Sequence, residues 1–335
     1  CLAIPRTAST SFEMAVTPFL SGDTSKTMIQ LIYSILFFAV AFYVSLSPEK
    51  LTHLLGRFTS PCLLILIGIM FVGCLLAPPA GYGESYGLYA QSPVLQGFLG
   101  GYQTMDALAA LNFGAVIAMN IRAQGVAREQ DVQRSAIRAG FIAGGLLLAV
   151  YAMLGHAGAL TGAAAPGLAT GAEVLTVLAE RMFGKAGLVL LAAIFMLACF
   201  NTCVGLIACV GEYFHTLLPR IPYPALAAFF AAASMLIANL GLADILRLSV
   251  PVLNALYPVA IVLITLSSVP GLEQRRRVYP LCIGCTAVQS IAAALPLGPL
   301  SALANALPLA ALGFGWVLPA VIGLLAGIFL SCTEE

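Results

Sequence analysis

Long runs without a charged residue organise this chain of 335 residues. Asp, Glu, Lys and Arg are absent from Thr27 to Pro48, Phe58 to Gly83, Ala139 to Ala172, Ala186 to Gly211, Ile221 to Ala243, Leu248 to Leu272 and Val278 to Thr333. About 20 apolar residues cross a bilayer core as a helix, so each run can span once. The last can span twice, because Pro296, Gly298, Pro299 and Pro308 supply a turn in its middle. Leu95 to Ile121 is a further span, interrupted only by Asp106. The runs are uniformly apolar rather than alternating, which argues against a transmembrane barrel. A helix satisfies its own backbone groups in lipid, so the pattern predicts an all-α integral membrane protein. Helices are expected near 1–18, 27–48, 60–79, 95–121, 135–159, 186–214, 222–240, 247–269, 278–296 and 309–331, nine full spans and part of a tenth.

Composition agrees with that pattern. Hydrophobic residues make up 61% and charged residues 9%, against about 25% charged in soluble domains, which excludes a soluble fold. A net charge of +1 provides no basic field for nucleic acid. Most of the nine cysteines (Cys62, Cys74, Cys199, Cys203, Cys209 and Cys282 among them) sit inside apolar runs and are expected to pack as small hydrophobes rather than form a disulfide framework. Cys282-Ile283-Gly284-Cys285 has redox or metal spacing but no polar or His company, so packing is preferred. A leading Cys1 is compatible with a mature lipoprotein, but Cys1-Leu2-Ala3-Ile4-Pro5 reads as the inside of a helix and is expected to follow residues upstream.

The loops between the expected helices sort the basic residues onto two sides. Lys50, Arg57, Arg122, Arg128, Arg134, Arg138, Arg220, Arg275, Arg276 and Arg277 fall on one side, and Lys26, Arg181, Lys185 and Arg247 on the other. Ten against four places the loops near 50, 130, 218 and 275 in the cytoplasm. Arg275-Arg276-Arg277 reads first as this topology signal and second as a lipid-headgroup contact. Gly155 to Gly171, rich in Gly and Ala, is expected to be an external loop.

Few polar groups lie inside the spans, and each needs a reason because intramembrane charge is costly. Asp106 follows Gly100-Gly101-Tyr102-Gln103-Thr104-Met105, and the glycines weaken the helix there. A break would expose backbone groups and half-helix ends to a ligand, with Asn112 and Gly114 extending the polar face; alternatively Asp106 only caps the second half-helix. Arg6, Thr10 and Glu13 share one helical face, as a structural Arg6–Glu13 network or as ligand contacts. Asn201 and Thr202 offer two oxygens inside an apolar helix, either to a hard cation or to interhelical hydrogen bonds, and Gly205 is expected to admit a close helix neighbour. Glu212 reads as interfacial, and His53, His156 and His215 form no ligand pair at helical spacing.

Several strings, in order along almost the whole chain, together resemble the branched-chain amino acid:cation symporters, also called the branched-chain amino acid transport system II carriers. They are Pro5-Arg6-Thr7 with Ser11-Phe12-Glu13, Gly101 to Leu108, Gly205-Leu206 with Glu212-Tyr213-Phe214, Asn239 to Leu242, and Ser249 to Leu253 with Tyr257-Pro258. The resemblance implies a five-plus-five inverted-repeat fold, LeuT-like and of the APC superfamily, with twelve helices. Residue 1 then falls in the third helix, so residues 1–335 are expected to form a single transporter domain holding part of helix three to helix twelve. The first two helices and half of the site are expected to lie outside it. The resemblance also implies that Asp106 belongs to helix six and Asn201-Thr202 to helix eight. The substrate site would include Gly101, Tyr102, Thr104, Met105 and Asp106, and a cation site Asn201 and Thr202. The sequence departs from the family pattern at Gln103, Asn112, Asn201 and Ile207.

The function so implied is import of leucine, isoleucine or valine with sodium across the bacterial inner membrane, by alternating access and without a cofactor, metal beyond sodium, or covalent chemistry. The substrate carboxylate would lie near half-helix amides, and its ammonium near Thr104 and Asp106. Two rivals remain: a carrier of the same fold for another small solute or driven by protons, and an integral-membrane enzyme, for which the clustered acids or histidines are missing from the sequence.

Overall fold

The structure, a computed structural model, describes residues 2–332 apart from 21–25, 47, 77, 79–80, 86, 124, 127, 166, 169, 270, 273–274 and 296–297; the side chains of 48–59, 103, 112–113, 115–116, 119–120, 123, 311 and 332 are likewise outside the described set. The described residues are helical, with no strand among them. In chain order the helices are α1 (Ala3–Ala15), α2 (Lys26–Ser45), α3 (Pro48–Leu76), α4 (Pro93–Gly101), α5 (Asp106–Ala123), α6 (Glu129–Ala164), α7 (Gly171–Leu217), α8 (Tyr223–Ala238), α9 (Leu242–Ser268), α10 (Val278–Ala294), α11 (Pro299–Asn305) and α12 (Val317–Cys332).

Local chemistry sets several boundaries. Thr170 caps α7 by accepting from the Glu173 N–H at 3.3 Å, and Pro93 and Pro299 open α4 and α11, where a missing N–H costs nothing. Gly184 lies at φ 59°, ψ −148°, open in practice only to glycine, and kinks α7 into two helices.

The nine expected spans fare differently. α2, α6, α7 and α9 are long and apolar enough to cross a bilayer singly, and α10 with α11, bent by 112°, is a fifth candidate. Residues 60–76, α8 and 317–331 are shorter apolar helices, and the expected span 95–121 is divided between α4 and α5. The expected external loop Gly155 to Gly171 is helical over Gly155 to Ala164, which continues α6, and Gly171 to Gly184, ahead of the span expected from 186, forms the first arm of α7, because alanine and leucine between the glycines sustain a helix. Conversely, 309–316 is a turn, with Leu309 and Gly313 both left-handed, and α12 starts only at Val317.

The chain divides into two compact units, Cys1–Glu84 with Arg134–Leu246, and Ser85–Gln133 with Arg247–Glu335. In the first, Ile4 and Ala8 of α1, Phe38 of α2, Val204 and Ile207 of α7 and Ala227 of α8 share one core. A second cluster joins Leu66 and Met70 of α3 to Leu160 of α6 and Leu178 and Leu191 of α7. Polar groups are spent inside this unit: Ser9 donates to the Ala238 carbonyl at 3.0 Å, and Ser11 meets the Tyr33 hydroxyl at 2.8 Å. The outside is apolar. Met28, Ile32, Leu36 and Val40 follow one another at four-residue spacing along the exposed face of α2, while Ser34, Phe38 and Ser45 are buried. A face of large apolar side chains turned outward, with the serines turned inward, is the arrangement of a helix that meets lipid.

In the second unit α12 lies against α10. A Cβ at Gly323 would come within 2.7 Å of the Leu281 carbonyl oxygen, and one at Gly327 within 2.6 Å of the Val278 Cα, so this small-xxx-small pair sets the approach. Cys282 packs in the same contact and donates to the Ala320 carbonyl at 3.1 Å. Among the described residues no neighbour comes within 4 Å of where a Cβ at Gly205 would go, and Gly211 makes the close approach instead, against the Tyr223 ring. Cys74, Cys203 and Cys282 are buried as small hydrophobes, whereas Cys62 is exposed on α3.

Candidate functional site

The helix break expected before Asp106 is present in the second unit. α4 stops at Gly101, Tyr102 to Thr104 form one 3₁₀ turn, Met105 adopts φ 65° and ψ 10°, and α5 begins at Asp106. Thr104 helps to end α4 by donating to the Gly101 carbonyl at 2.7 Å, an alternative to the helical ladder. A left-handed Met105 is a rare conformation for a side chain with a Cβ, and such strain gathers where backbone is kept for a ligand. Asp106 is half-buried in the first turn of α5, where a carboxylate meets the positive helix end.

Aromatic rings hold the break in place. Tyr102 is 5% exposed and stacks on Tyr257 of α9, ring centres 4.6 Å apart and nearly parallel at 10°. Phe98 meets Tyr102 edge-on at 5.6 Å and Phe314 at 5.4 Å. The buried Tyr257 hydroxyl has Thr104, Asp106 and the backbone of Met105 and Ala107 as polar neighbours, and among the described residues none is in hydrogen-bond geometry with it. The Tyr102 hydroxyl and the Trp316 indole N–H are buried neighbours, and among the described residues neither is in hydrogen-bond geometry with a partner. Unsatisfied groups of this kind cost roughly 1–3 kcal/mol each, so three in one unit mark a place organised for something other than stability.

A cavity of about 210 Å³ opens beside the break. Leu99 and Tyr102 form one wall, Asn254 and Pro258 of α9 a second, and Gln289, Ser290 and Ala293 of α10 a third. Asn305 and the turn from Ala310 to Trp316 close it. That turn fits closely: a Cβ at Gly313 would meet Leu99 at 2.7 Å, and one at Gly315 would meet the Gln289 amide at 3.0 Å.

Of the expected substrate residues, the structure brings Gly101, Tyr102, Thr104, Met105 and Asp106 together at the break, with Tyr102 lining the cavity. The side chains of Gln103 and Asn112 lie outside the described residues. Asn201 and Thr202 sit on the second arm of α7, in the first unit. Thr202 is exposed and donates to the Ala198 carbonyl at 3.0 Å, leaving its oxygen lone pairs available, and the buried Asn201 Oδ1 has no partner among the described residues. Arg6, Thr10 and Glu13 are half-buried along α1. Glu13 takes Lys26 as its ion pair, at 3.0 Å. Sequence reasoning missed Gln289 and Trp316 altogether and noticed Tyr257 only as part of a motif. A lone tryptophan and a glutamine in a run of 56 charge-free residues were the available signals.

An interrupted helix beside a small cavity, in a chain with several helices long and apolar enough to cross a bilayer, is the pattern of a multi-pass helical membrane transport protein. Residues 1–334 match the family described as branched-chain amino acid transport protein, and the chain belongs to that family. It is 37% identical over 336 residues to the branched-chain amino acid permease BraB of Bacillus subtilis, covering 98% of this chain and 75% of that protein. To the branched-chain amino acid transport system 2 carrier protein of Pseudomonas aeruginosa it is 39% identical over 333 residues, 97% and 75%. The permease BrnQ of Bacillus subtilis is 34% identical over 336 residues, 98% and 76%. No solved structure matches. These relatives are permeases and carriers, so the chain is a transport protein and not an enzyme.

Proposed function

We propose that the protein carries leucine, isoleucine or valine together with sodium across the bacterial cytoplasmic membrane, as a symporter working by alternating access on a five-plus-five inverted-repeat fold. In this reading residues 1–335 belong to a single transport domain. The observation that carries it is the break at Tyr102–Met105, with left-handed Met105, acidic Asp106 and an adjoining cavity in a chain of this family. The substrate is held around Gly101, Tyr102, Thr104, Met105 and Asp106, and sodium at Asn201 and Thr202, whose oxygens suit a hard monovalent ion. Arg6, Thr10 and Glu13 form the polar face that supports α1. No cofactor takes part; an inward ion gradient supplies the work, each charge moved adding about 2.3 kcal/mol per 100 mV.

Uptake of labelled leucine into membrane vesicles tests this directly. An imposed sodium gradient drives accumulation and a proton gradient alone does not, and Thr202→Ala raises the sodium concentration needed for half-maximal uptake. Accumulation driven by protons with no response to sodium overturns the coupling. Transport of another small solute with no uptake of branched-chain amino acids overturns the substrate.

A further inference from the structure

The cavity in the second unit is lined by donors that, among the described residues, are largely unspent. Tyr102 is 5% exposed, and among the described residues neither its hydroxyl nor the neighbouring Trp316 indole N–H, which can only donate, is in hydrogen-bond geometry with a partner, while the 8% exposed Gln289 makes one long contact, 3.4 Å to the Ala304 carbonyl. All three line the same space of about 210 Å³, somewhat larger than the cavity of about 150 Å³ that holds a benzene ring. Neutral donors without a cationic side chain select an acceptor-rich group that dipoles alone can hold. A carboxylate fits, because hydrogen bonds to it are charge-assisted and roughly twice as strong as neutral ones.

The rest of the lining has a complementary character. Pro258 has no N–H to offer the Asn254 carbonyl, and both residues line the cavity, so the helix ladder leaves that acceptor without its usual i+4 donor. Ser290 donates to the Ala255 carbonyl at 2.9 Å and keeps its own lone pairs, and exposed Asn254 and Asn305 add side-chain oxygens at the rim. Leu99, Ala293, Ala294 and Ala310 supply an apolar patch between these groups. Tyr102 is clamped by Tyr257 and Phe98, so its hydroxyl is fixed before any ligand arrives.

We infer that this cavity is a binding station for a small aliphatic amino acid, its carboxylate held by the side chains of Tyr102, Trp316 and Gln289 and its ammonium by the Asn254 carbonyl and the rim oxygens. The choice among amino acids rests on the transport reading above; the donor set is independent of it. Trp316 is the single tryptophan of the chain and therefore reports from inside the site.

The test follows Trp316 emission of the purified protein in nanodiscs, without an ion gradient, as ligands are added; Trp316→Phe in parallel supplies the background. L-leucine gives a saturable change, 4-methylpentanoate (the same chain and carboxylate without the amine) a weaker saturable one, and isopentylamine none. Tyr102→Phe and Gln289→Met each weaken the leucine titration about ten- to a hundredfold, the effect of losing one hydrogen bond to a charged group. If either variant fails to fold, the wild-type ligand series decides alone. Saturable binding of labelled leucine with unchanged Trp316 emission overturns the station and leaves the transport reading standing. A response to leucine and to 4-methylpentanoate in a protein that accumulates no branched-chain amino acid under any gradient overturns the transport reading and supports the station. A response to 4-methylpentanoate but not to leucine overturns the amino acid as ligand, and a response to isopentylamine equal to that of leucine overturns the carboxylate contacts.

Discussion

Asp106 owes its importance to its neighbours. A carboxylate in a mid-span helix costs several kcal/mol, but here it opens a helix, half-buried, one residue after a backbone reversal at Met105. Asp106→Asn keeps the size and the capping oxygen and removes the charge. The variant is expected to reach the membrane in normal amount and to lose about ten- to a hundredfold in leucine uptake, if its charged hydrogen bonds serve the substrate. Membrane fractionation with uptake assays separates the two effects, and wild-type kinetics would sink the role. At this scale the sequence was informative about types and weak about partners. Glu13 shares a helical face with Arg6, but its ion pair with Lys26, thirteen residues on at the start of α2, is one that helical spacing does not announce. Tyr102 and Trp316 are 214 residues apart, and no local pattern announces that they face one cavity.

Elements were far more legible than contacts. Charge-free runs gave helices at nearly all the expected places, because lipid leaves the backbone no other local solution. The exceptions are where small residues mislead: Gly155 to Ala164 looks like a loop by composition and is helix, while 309–316 looks apolar enough for helix and is a turn. Glycine position cannot be read from glycine content. Gly284 of α10 has open space where a Cβ would go, whereas Gly323 of α12 faces the α10 backbone. Gly284→Ala is therefore expected to be neutral or slightly stabilising, since alanine favours helix by up to about 1 kcal/mol. Gly323→Ala is expected to lower stability by about 1–3 kcal/mol despite the same gain, because the helices must separate. Thermal unfolding of the two variants in detergent checks the contrast, and equal midpoints would refute the close approach of α10 and α12.

For the whole molecule the governing quantities are charge and apolarity. With ten basic loop residues on one side against four on the other, reporter fusions at Arg220 and at Arg277 are expected to be active only with a cytoplasmic reporter, and a fusion at Gly83 only with an external one. The reverse pattern would invert the topology. The sequence by itself determined that this is a helical membrane protein of the branched-chain amino acid transport family and where its broken helix lies, because burial in lipid and helix-breaking glycines act over a few neighbouring residues. Only the tertiary structure decided which polar groups meet. The stacking of Tyr102 on Tyr257, the turn that carries Trp316 to the cavity and the glycines that let α12 touch α10 depend on helices distant in sequence, whose packing is set by shape rather than by any local preference.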